Sequence, residues 1–246
     1  MRRYVGLTAV LLALCIAAIT IGCTSGGGKK AATTVVPSVV PTQTPGTPPD
    51  LGATAEELRS LAARYGTQEA KTTYDVSAGI NSSPRTGTAT LYWKPDAGWR
   101  LDFDLKDATG TLLKTADAAY VCTVTKATGS CRRAPAAENA SVAFLQVLTD
   151  PPALLQAVQD AFYLGKIERS QREIAGQQAA CFSLQGTASD RAVSVDYCFA
   201  ADGKLLSLKS SGLGANGSGE LKLDATQVGA AVTDADLQPP YPIAAQ

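Results

Sequence analysis

Apolar and polar residues alternate along much of this chain, and that alternation limits its fold more than any other feature. It is clearest where Trp99, Leu101, Phe103 and Leu105 alternate with charged residues. Successive side chains of a β-strand lie on opposite faces, so the pattern predicts a sheet with one apolar and one polar face. Strands of this kind are predicted at 74–80, around 99–105, near 111–116 and 118–125, and at 166–174, 177–187, 191–199, 204–211 and 219–228. The sequence therefore predicts two antiparallel meanders.

Helical spacing occurs in two parts of the chain. Thr54 and Glu57 form a capping box before an apolar helical face, which predicts a helix over 55–65. Apolar residues return at helical spacing over 138–163, where Pro151-Pro152 divides them into two short central helices. Strands combined with separate helices predict the α+β class.

The first residues have the character of an export signal. Residues 4–22 are uncharged and follow Arg2 and Arg3, and Gly22 stands before Cys23. These are the parts of a secretory signal, and Thr20-Ile21-Gly22-Cys23 resembles the lipobox of bacterial lipoproteins. The resemblance implies cleavage before Cys23 and attachment of a diacylglycerol and palmitate anchor there. The alternative is an uncleaved transmembrane helix, because about 20 apolar residues span a bilayer.

The chain divides into a leader at 1–22, a lipidated cysteine with a Thr/Pro/Gly linker at 23–50, and a folded domain at 51–246. The linker is rich in proline and has no aromatic residue, so we expect an extended, solvated tether. Removing Arg2 and Arg3 from 22 basic residues leaves 20 against 22 acidic ones, a net charge of −2. No basic stripe is present to attract nucleic acid.

Four cysteines lie in the predicted domain, and an even number in an exported chain predicts disulfides. Metal binding is the weaker interpretation, because the chain has no histidine and no Cys-x-x-Cys. Cys122 and Cys131 flank a hairpin turn, where Gly129 indicates a β-bulge. Cys181 and Cys198 are symmetric about a loop at 189–190, which predicts a second local bridge.

The register that joins Cys181 to Cys198 also aligns their neighbours. It opposes Phe182 to Tyr197 and Leu184 to Val195, so these apolar residues share one face and both cysteines lie on the other. Two independent patterns thus indicate the same hairpin.

The order of these elements resembles the LolA-like and LprG/LppX-like family of bacterial lipoprotein carriers, over roughly 54–243. The stretch from Thr233 to Pro242 also resembles the tail of such domains. The resemblance implies a strongly curved, unclosed half-barrel whose concave face wraps the helices and takes acyl chains. The family's helix-latching arginine is not assigned, because alternation places Arg100 on the polar face. The expected groove residues are Tyr74, Val76, Leu91, Trp93, Trp99, Leu101, Phe103, Leu154, Leu155, Val158, Phe162, Leu184, Val195 and Tyr197.

Catalysis is not expected. Without histidine, the Ser-His and Cys-His pairs of nucleophilic enzymes are impossible, and alternation on a solvated face accounts for Asp102 and Asp104. We expect no cofactor and no metal. The sequence predicts a lipoprotein on the outer face of the cytoplasmic membrane that binds a lipid or an acylated protein. The alternative is an envelope sensor or protein-interaction domain with a closed core, since related folds occur in envelope-stress regulators.

Overall fold

The computed structural model describes residues 52–80, 83–125, 128–133, 140–188, 191–212, 219–229 and 231–244. Over these ranges the fold is α+β, with an unclosed antiparallel sheet and helices, as predicted. The predicted leader, the lipidated Cys23 and the linker lie outside the described residues.

The helical elements are α1 (Gly52–Arg64), a 3-10 segment (Ala140–Leu148), α2 (Pro151–Ala161) and a second 3-10 segment (Phe162–Leu164). Helix α1 begins two residues before Thr54, so the proposed capping box lies within the helix and does not start it. The first of the two predicted central helices has the tighter 3-10 geometry. Helix α2 begins at its proline pair, and Asp150 caps it by accepting a hydrogen bond from the Ala153 amide at 3.1 Å. No described helix has both the length and the apolar character needed to cross a membrane.

The described strands form one sheet of eleven. They are β1 (Ala70–Ile80), β2 (Ser83–Lys94), β3 (Gly98–Leu105), β4 (Ala108–Thr115), β5 (Ala119–Thr125), β6 (Thr128–Arg133), β7 (Lys166–Ile174), β8 (Gln177–Ala188), β9 (Arg191–Ala200), β10 (Leu205–Ser211) and β11 (Glu220–Gly229). Strand β4 begins earlier than the predicted start near 111, because Ala108 already pairs with Leu105. A hydrogen bond from the Thr109 hydroxyl to Asp104, 2.8 Å long, joins the strands at that position.

The two predicted meanders are joined at the middle of the sheet. The strand order is β6-β5-β4-β3-β2-β1-β11-β10-β9-β8-β7, so the first strand pairs with the last. Their register runs from Lys71 opposite Gly229 to Gly79 opposite Glu220, with one irregularity at Thr73/Tyr74. All the apolar residues that alternation assigned to one face of β3 are buried. That face is the concave one, which packs against the helices.

Both predicted disulfides are present. Cys181 pairs with Cys198 in the predicted register, which also opposes Phe182 to Tyr197. The two cysteines lie on the convex face by alternation, yet both are buried. The Arg172 side chain of β7 covers them, with its Nε and Nη2 at 3.4 and 2.9 Å from the two sulfurs.

The hairpin of β5 and β6 has no bulge at Gly129, contrary to the prediction. Cys122 is bonded to Cys131 and Gly129 lies directly opposite Val124 in an unbroken register. A side chain at Gly129 would place its Cβ 2.2 Å from the ring of Tyr241. The glycine is therefore explained by the close approach of the C-terminal residues.

Residues 231–244 form a segment that we call the strap, which crosses the convex face of the first meander. Lys94 donates to Asp234 at 2.6 Å, and Arg100 donates to the carbonyl oxygen of Asp236 at 3.3 Å. The strap ends beside β6, where the Cys131 amide donates to Pro242 at 2.9 Å and the Cys131 carbonyl accepts from Ala244 at 2.8 Å. The convex side thus carries buried residues outside the main core, namely Leu113, Cys122, Cys131, Val232 and Leu237.

Candidate functional site

The candidate site is the interior between the concave face and residues 140–164, which we call the helical cover. All the predicted groove residues meet in this interior. Trp93 and Leu155 are partly buried and pack against the main core, which contains the others. The others are Tyr74, Val76, Leu91, Trp99, Leu101, Phe103, Leu154, Val158, Phe162, Leu184, Val195 and Tyr197. Whether they contact a ligand stays a prediction.

Several core residues were not included among the predicted groove residues. Phe182, Phe199 and Leu223 are fully buried in the same core, and their positions in alternating strands would have been enough to find them. Tyr65, at the end of α1, gave no such signal. Its place in the core depends on the angle at which α1 lies against the cover, which a local pattern does not contain.

The apolar side chains of the interior are buried in this conformation. A small cavity beside the end of α1, which no described residue of the helical cover lines, has a volume of about 20 Å³, room for about one water molecule. Pockets for small organic ligands are roughly 300–1,000 Å³, so an acyl chain fits only if side chains or the helical cover move. The cavity is lined by Arg64, Tyr65, Gly66, Gln68, Ala70, Thr72, Tyr74, Leu91, Trp93, Asp202, Lys204 and Leu205.

Two buried phenols beside this cavity donate to backbone carbonyls. The Tyr65 hydroxyl donates to Leu148 at 2.7 Å, which joins α1 to the last residue of the 3-10 segment. The Tyr74 hydroxyl donates to Leu205 at 2.8 Å, which joins β1 to β10 within the sheet. Burial raises the pKa of both phenols well above the usual value, so both stay protonated donors. Of these two hydrogen bonds, the one from Tyr65 reaches the cover, and the one from Tyr74 lies within the sheet.

A second contact beside Tyr65 fixes where the cover begins. Gly66 has φ of +79°, and a Cβ there would lie 2.5 Å from the Pro151 side chain. Its carbonyl oxygen accepts a hydrogen bond from the Trp93 indole at 2.6 Å. Glycine lets the chain turn and lets Pro151 approach closely. The end of α1, the start of α2 and strand β2 therefore meet at one point.

The other end of α1 is tied to the second meander. Arg169 of β7 donates from Nε and Nη2 to the two carboxylate oxygens of Glu57, at 2.7 and 2.9 Å. This hydrogen bonding lowers the pKa of Glu57. The Arg59 guanidinium lies 5.4 Å from the centre of the Phe162 ring, at the far end of the cover. Helix α1 is thus fixed to the sheet, whereas the cover is held mainly through α1 and its own apolar face.

A second, polar groove of about 270 Å³ lies on the convex face, beside the strap. Its floor contains two cross-strand rows, in which Asp102 and Asp104 each lie between threonines of β2 and β4. Arg100 donates to both oxygens of Asp102 at 2.8 Å, so Arg100 lies on the polar face as predicted. The groove is lined by Thr88, Thr90, Arg100, Asp102, Phe103, Asp104, Thr109, Gly110, Thr111, Val124 and Tyr241.

Within the described ranges, no group of three or more His, Cys, Asp or Glu residues is arranged to hold a metal ion. The carboxylates of the convex rows are instead hydrogen-bonded to neighbouring side chains. Asp102 accepts from Thr111 at 2.6 Å in addition to Arg100.

No protein-family model matches this chain, and no curated protein matches its sequence. Among solved structures, the chain is similar to the Pseudomonas aeruginosa MucA/MucB complex, with 14% identity and a TM-score of 0.43 over 76% of this chain and 61% of that one. It is similar to LprF from Mycobacterium bovis, with 11% identity and a TM-score of 0.45 over 77% of this chain and 100% of LprF. It is also similar to a LolA superfamily protein from Nitrosomonas europaea, with 9% identity and a TM-score of 0.36 over 76% of this chain and 99% of that one.

The chain spans about three-fifths of the matched chain in the MucA/MucB complex. LprF and a LolA superfamily protein, which carry the names of the predicted family, are among the similar structures. At these identities the similarity supplies no functional residue, and we take function from the geometry of this chain.

Proposed function

We propose that this chain is a lipid-anchored, extracytoplasmic binding protein that takes an acyl chain between the concave face and the helical cover. The observation that supports the proposal best is the construction of the interior. Apolar side chains from both meanders meet those of a cover that begins at a proline pair. The cover is connected to α1 and the residues that follow it through the Tyr65–Leu148 hydrogen bond, the close contact at Gly66 and the Arg59–Phe162 contact.

Acyl-chain binding on this proposal requires the cover to move. Buried side chains fill the space under the cover, and the small cavity beside it, about 20 Å³, has no room for a lipid tail. The ligand must therefore replace Leu154, Val158 and Phe162 on the concave face. Replacement of one apolar surface by another changes the buried apolar area little. The hydrogen bond of Tyr65 is then a polar interaction that specifically favours the closed state.

Two matched substitutions test this mechanism. Tyr65→Phe and Tyr74→Phe each remove one buried hydroxyl that donates to a carbonyl, at 2.7 and 2.8 Å respectively. A net hydrogen bond contributes roughly 1 kcal/mol, so we expect Tyr65→Phe to speed lipid uptake about fivefold. Tyr74→Phe keeps the apolar ring in the groove and removes a hydrogen bond that lies within the sheet, so it should lower stability without changing the rate of uptake.

The measurement uses residues 51–246, purified without the anchor, together with a fluorescent fatty-acyl lipid and native mass spectrometry. Stoichiometric lipid that enters faster in Tyr65→Phe than in Tyr74→Phe supports the proposal. Equal rates in the two variants would contradict a role for the cover, and no uptake by any variant would contradict lipid binding.

The second candidate is an envelope sensor or protein-interaction domain whose core stays closed. The packed interior favours it, because nothing needs to move. A domain that does not bind lipid but binds a protein partner would establish this alternative.

Anchoring through Cys23, and with it an extracytoplasmic location at the cytoplasmic membrane, is a separate part of the proposal. It is supported by the Gly22-Cys23 sequence after an apolar run. Cys23→Ala should release or mislocalise the protein. Membrane retention of this variant at the wild-type level would favour an uncleaved helix.

A further inference from the structure

Strand β7 is an unpaired sheet edge that is polar along almost its whole length. Among the described residues, no strand pairs with its outer side. Seven of its nine residues are exposed, namely Lys166 and the six consecutive residues 168–173. Such an edge presents free backbone donors and acceptors, so it either is protected by its charges or binds another strand.

The backbone direction along β7 follows from the neighbouring disulfide. Cys181 and Cys198 have their Cα atoms 4.0 Å apart, which marks a pair without mutual backbone hydrogen bonds. The amide and carbonyl of Cys181 must therefore face Ser170, its partner on β7. By alternation, Arg169 and Gln171 direct their backbone groups outward, where a further strand can bond them.

The order of charges along β7 is complementary to itself. If two β7 strands lie antiparallel about a twofold axis at Ser170, Glu168 of each copy is opposite Arg172 of the other. Arg169 is then opposite Gln171, and these are the residues whose backbone groups face outward. The register centred on Ser170 therefore pairs opposite charges and also brings together the residues whose backbone groups face outward.

The side chains concerned are exposed on the convex face. Glu168 and Arg172 lie on the same face as Ser170, away from α1. Glu168 also forms an ion pair with Lys166 of its own strand at 2.7 Å, and because both side chains are exposed, this pair contributes little and does not prevent a contact with Arg172 of a second copy. Arg172 contacts the sulfurs of the disulfide and has no carboxylate partner among the described residues. A register centred on Gln171 would instead pair Arg169 with Glu173. Arg169, however, already donates from Nε and Nη2 to the carboxylate of Glu57 in its own chain.

We infer that β7 pairs antiparallel with β7 of a second copy of this chain about a twofold axis at Ser170, with two Glu168–Arg172 pairs across the interface. The two sheets then continue into one another.

Charge reversal tests the inference with a built-in control. Glu168→Arg places two arginine pairs across the interface, and Arg172→Glu places two glutamate pairs there. Since opposite charges become like charges at two cross-strand positions, we expect each variant alone to raise the dimer dissociation constant about tenfold. An equimolar mixture of the two variants restores both opposite-charge pairs, so it should form a heterodimer about as tight as the wild type.

Glu173→Arg is the matched control, because it makes the same charge change on the same strand outside the pair. It should leave dimerisation within about twofold of the wild type. The full chain is extracted in a mild detergent, its disulfides are checked under non-reducing conditions, and its mass is measured by sedimentation velocity over a wide concentration range.

Weak association of each variant alone, with recovery in the mixture, supports the inference. A wild-type chain that remains monomeric at every concentration overturns it. A dimer that both reversals leave unchanged, or that Glu173→Arg disrupts equally, also overturns it, since the contact is then elsewhere or in another register.

Discussion

Strands β6 and β7 are the two ends of the described sheet, and they differ in both their side chains and their neighbours. The outer side of β6 is bonded at Cys131 to the strap, through Pro242 and Ala244. The outer side of β7 has no such neighbour among the described residues, and its exposed side chains are charged or polar. One edge is covered by the chain itself, while the other depends on its own charges.

The convex face beside the covered edge carries buried apolar residues, whereas the open edge strand β7 carries none. Leu113 of β4 lies opposite Arg100 on the convex face, and it is fully buried there. Strand β7 has no buried residue at all. The strap therefore supplies both missing backbone partners and a second apolar layer.

Deleting the strap should cause the largest loss of stability and open the β6 edge. A chain that ends at Gly229 lacks Val232 and Leu237, which are buried in the intact protein, and exposes the residues that they cover. Burial of such a side chain contributes roughly 1.5–3 kcal/mol, so we expect a loss of about 3–5 kcal/mol in the free energy of unfolding. Urea unfolding measures the loss, and light scattering detects association through the open β6 edge.

A chain shortened only by residues 245–246 is the control for that deletion and should behave as the full chain. Unchanged stability after removal of the whole strap would mean that β6 protects itself as β7 does.

A bulky residue at Gly129 should detach only the end of the strap. Gly129→Val forces the ring of Tyr241 away, since the Cβ would lie 2.2 Å from it. We expect a loss of about 1–3 kcal/mol, as for other overpacked sites, together with faster hydrogen exchange at the Ala244 amide. Gly229→Val is the matched control, because the nearest atom to its Cβ is 3.7 Å away. Equal effects of the two substitutions would argue against the contact with Tyr241.

Acid should loosen the strap by a smaller amount. The hydrogen bond from Lys94 lowers the pKa of Asp234, so the folded state prefers the carboxylate. The resulting stabilisation is present above the unfolded pKa of about 4 and is lost as the pH falls through the lower folded value. Strap cleavage by an acid-active protease should rise at low pH in the wild type. Asp234→Asn should be cleaved readily on both sides of that range, and protection equal to the wild type near neutral pH would exclude a role for the ion pair.

Local patterns were sufficient to predict most of the second meander. In the hairpin of β8 and β9, apolar residues at alternate positions share one face, and the symmetric placement of Cys181 and Cys198 fixed the register that the structure has. The cysteine positions and the apolar alternation both predicted the register of this hairpin, so a register shifted by one residue would have disagreed with both.

Interactions between distant segments could not be predicted in the same way. Pairing of Cys131 with Ile243 uses backbone atoms, and no side-chain pattern specifies it. Gly129 was therefore interpreted as a bulge, although the structure explains it by Tyr241. The closed interior was equally hidden, because a residue such as Trp99 or Phe103 is apolar whether it lines a groove or fills a core.

The pairing of β1 with β11 has a consequence for how the protein is made. A chain synthesised from its N-terminus presents β1 well before β11 exists. Until the last strand arrives, β1 has a neighbour on only one side, and the first meander cannot join the second. Every newly made molecule therefore passes through a period in which its central strand is an open edge, and the rate of synthesis sets the length of that period.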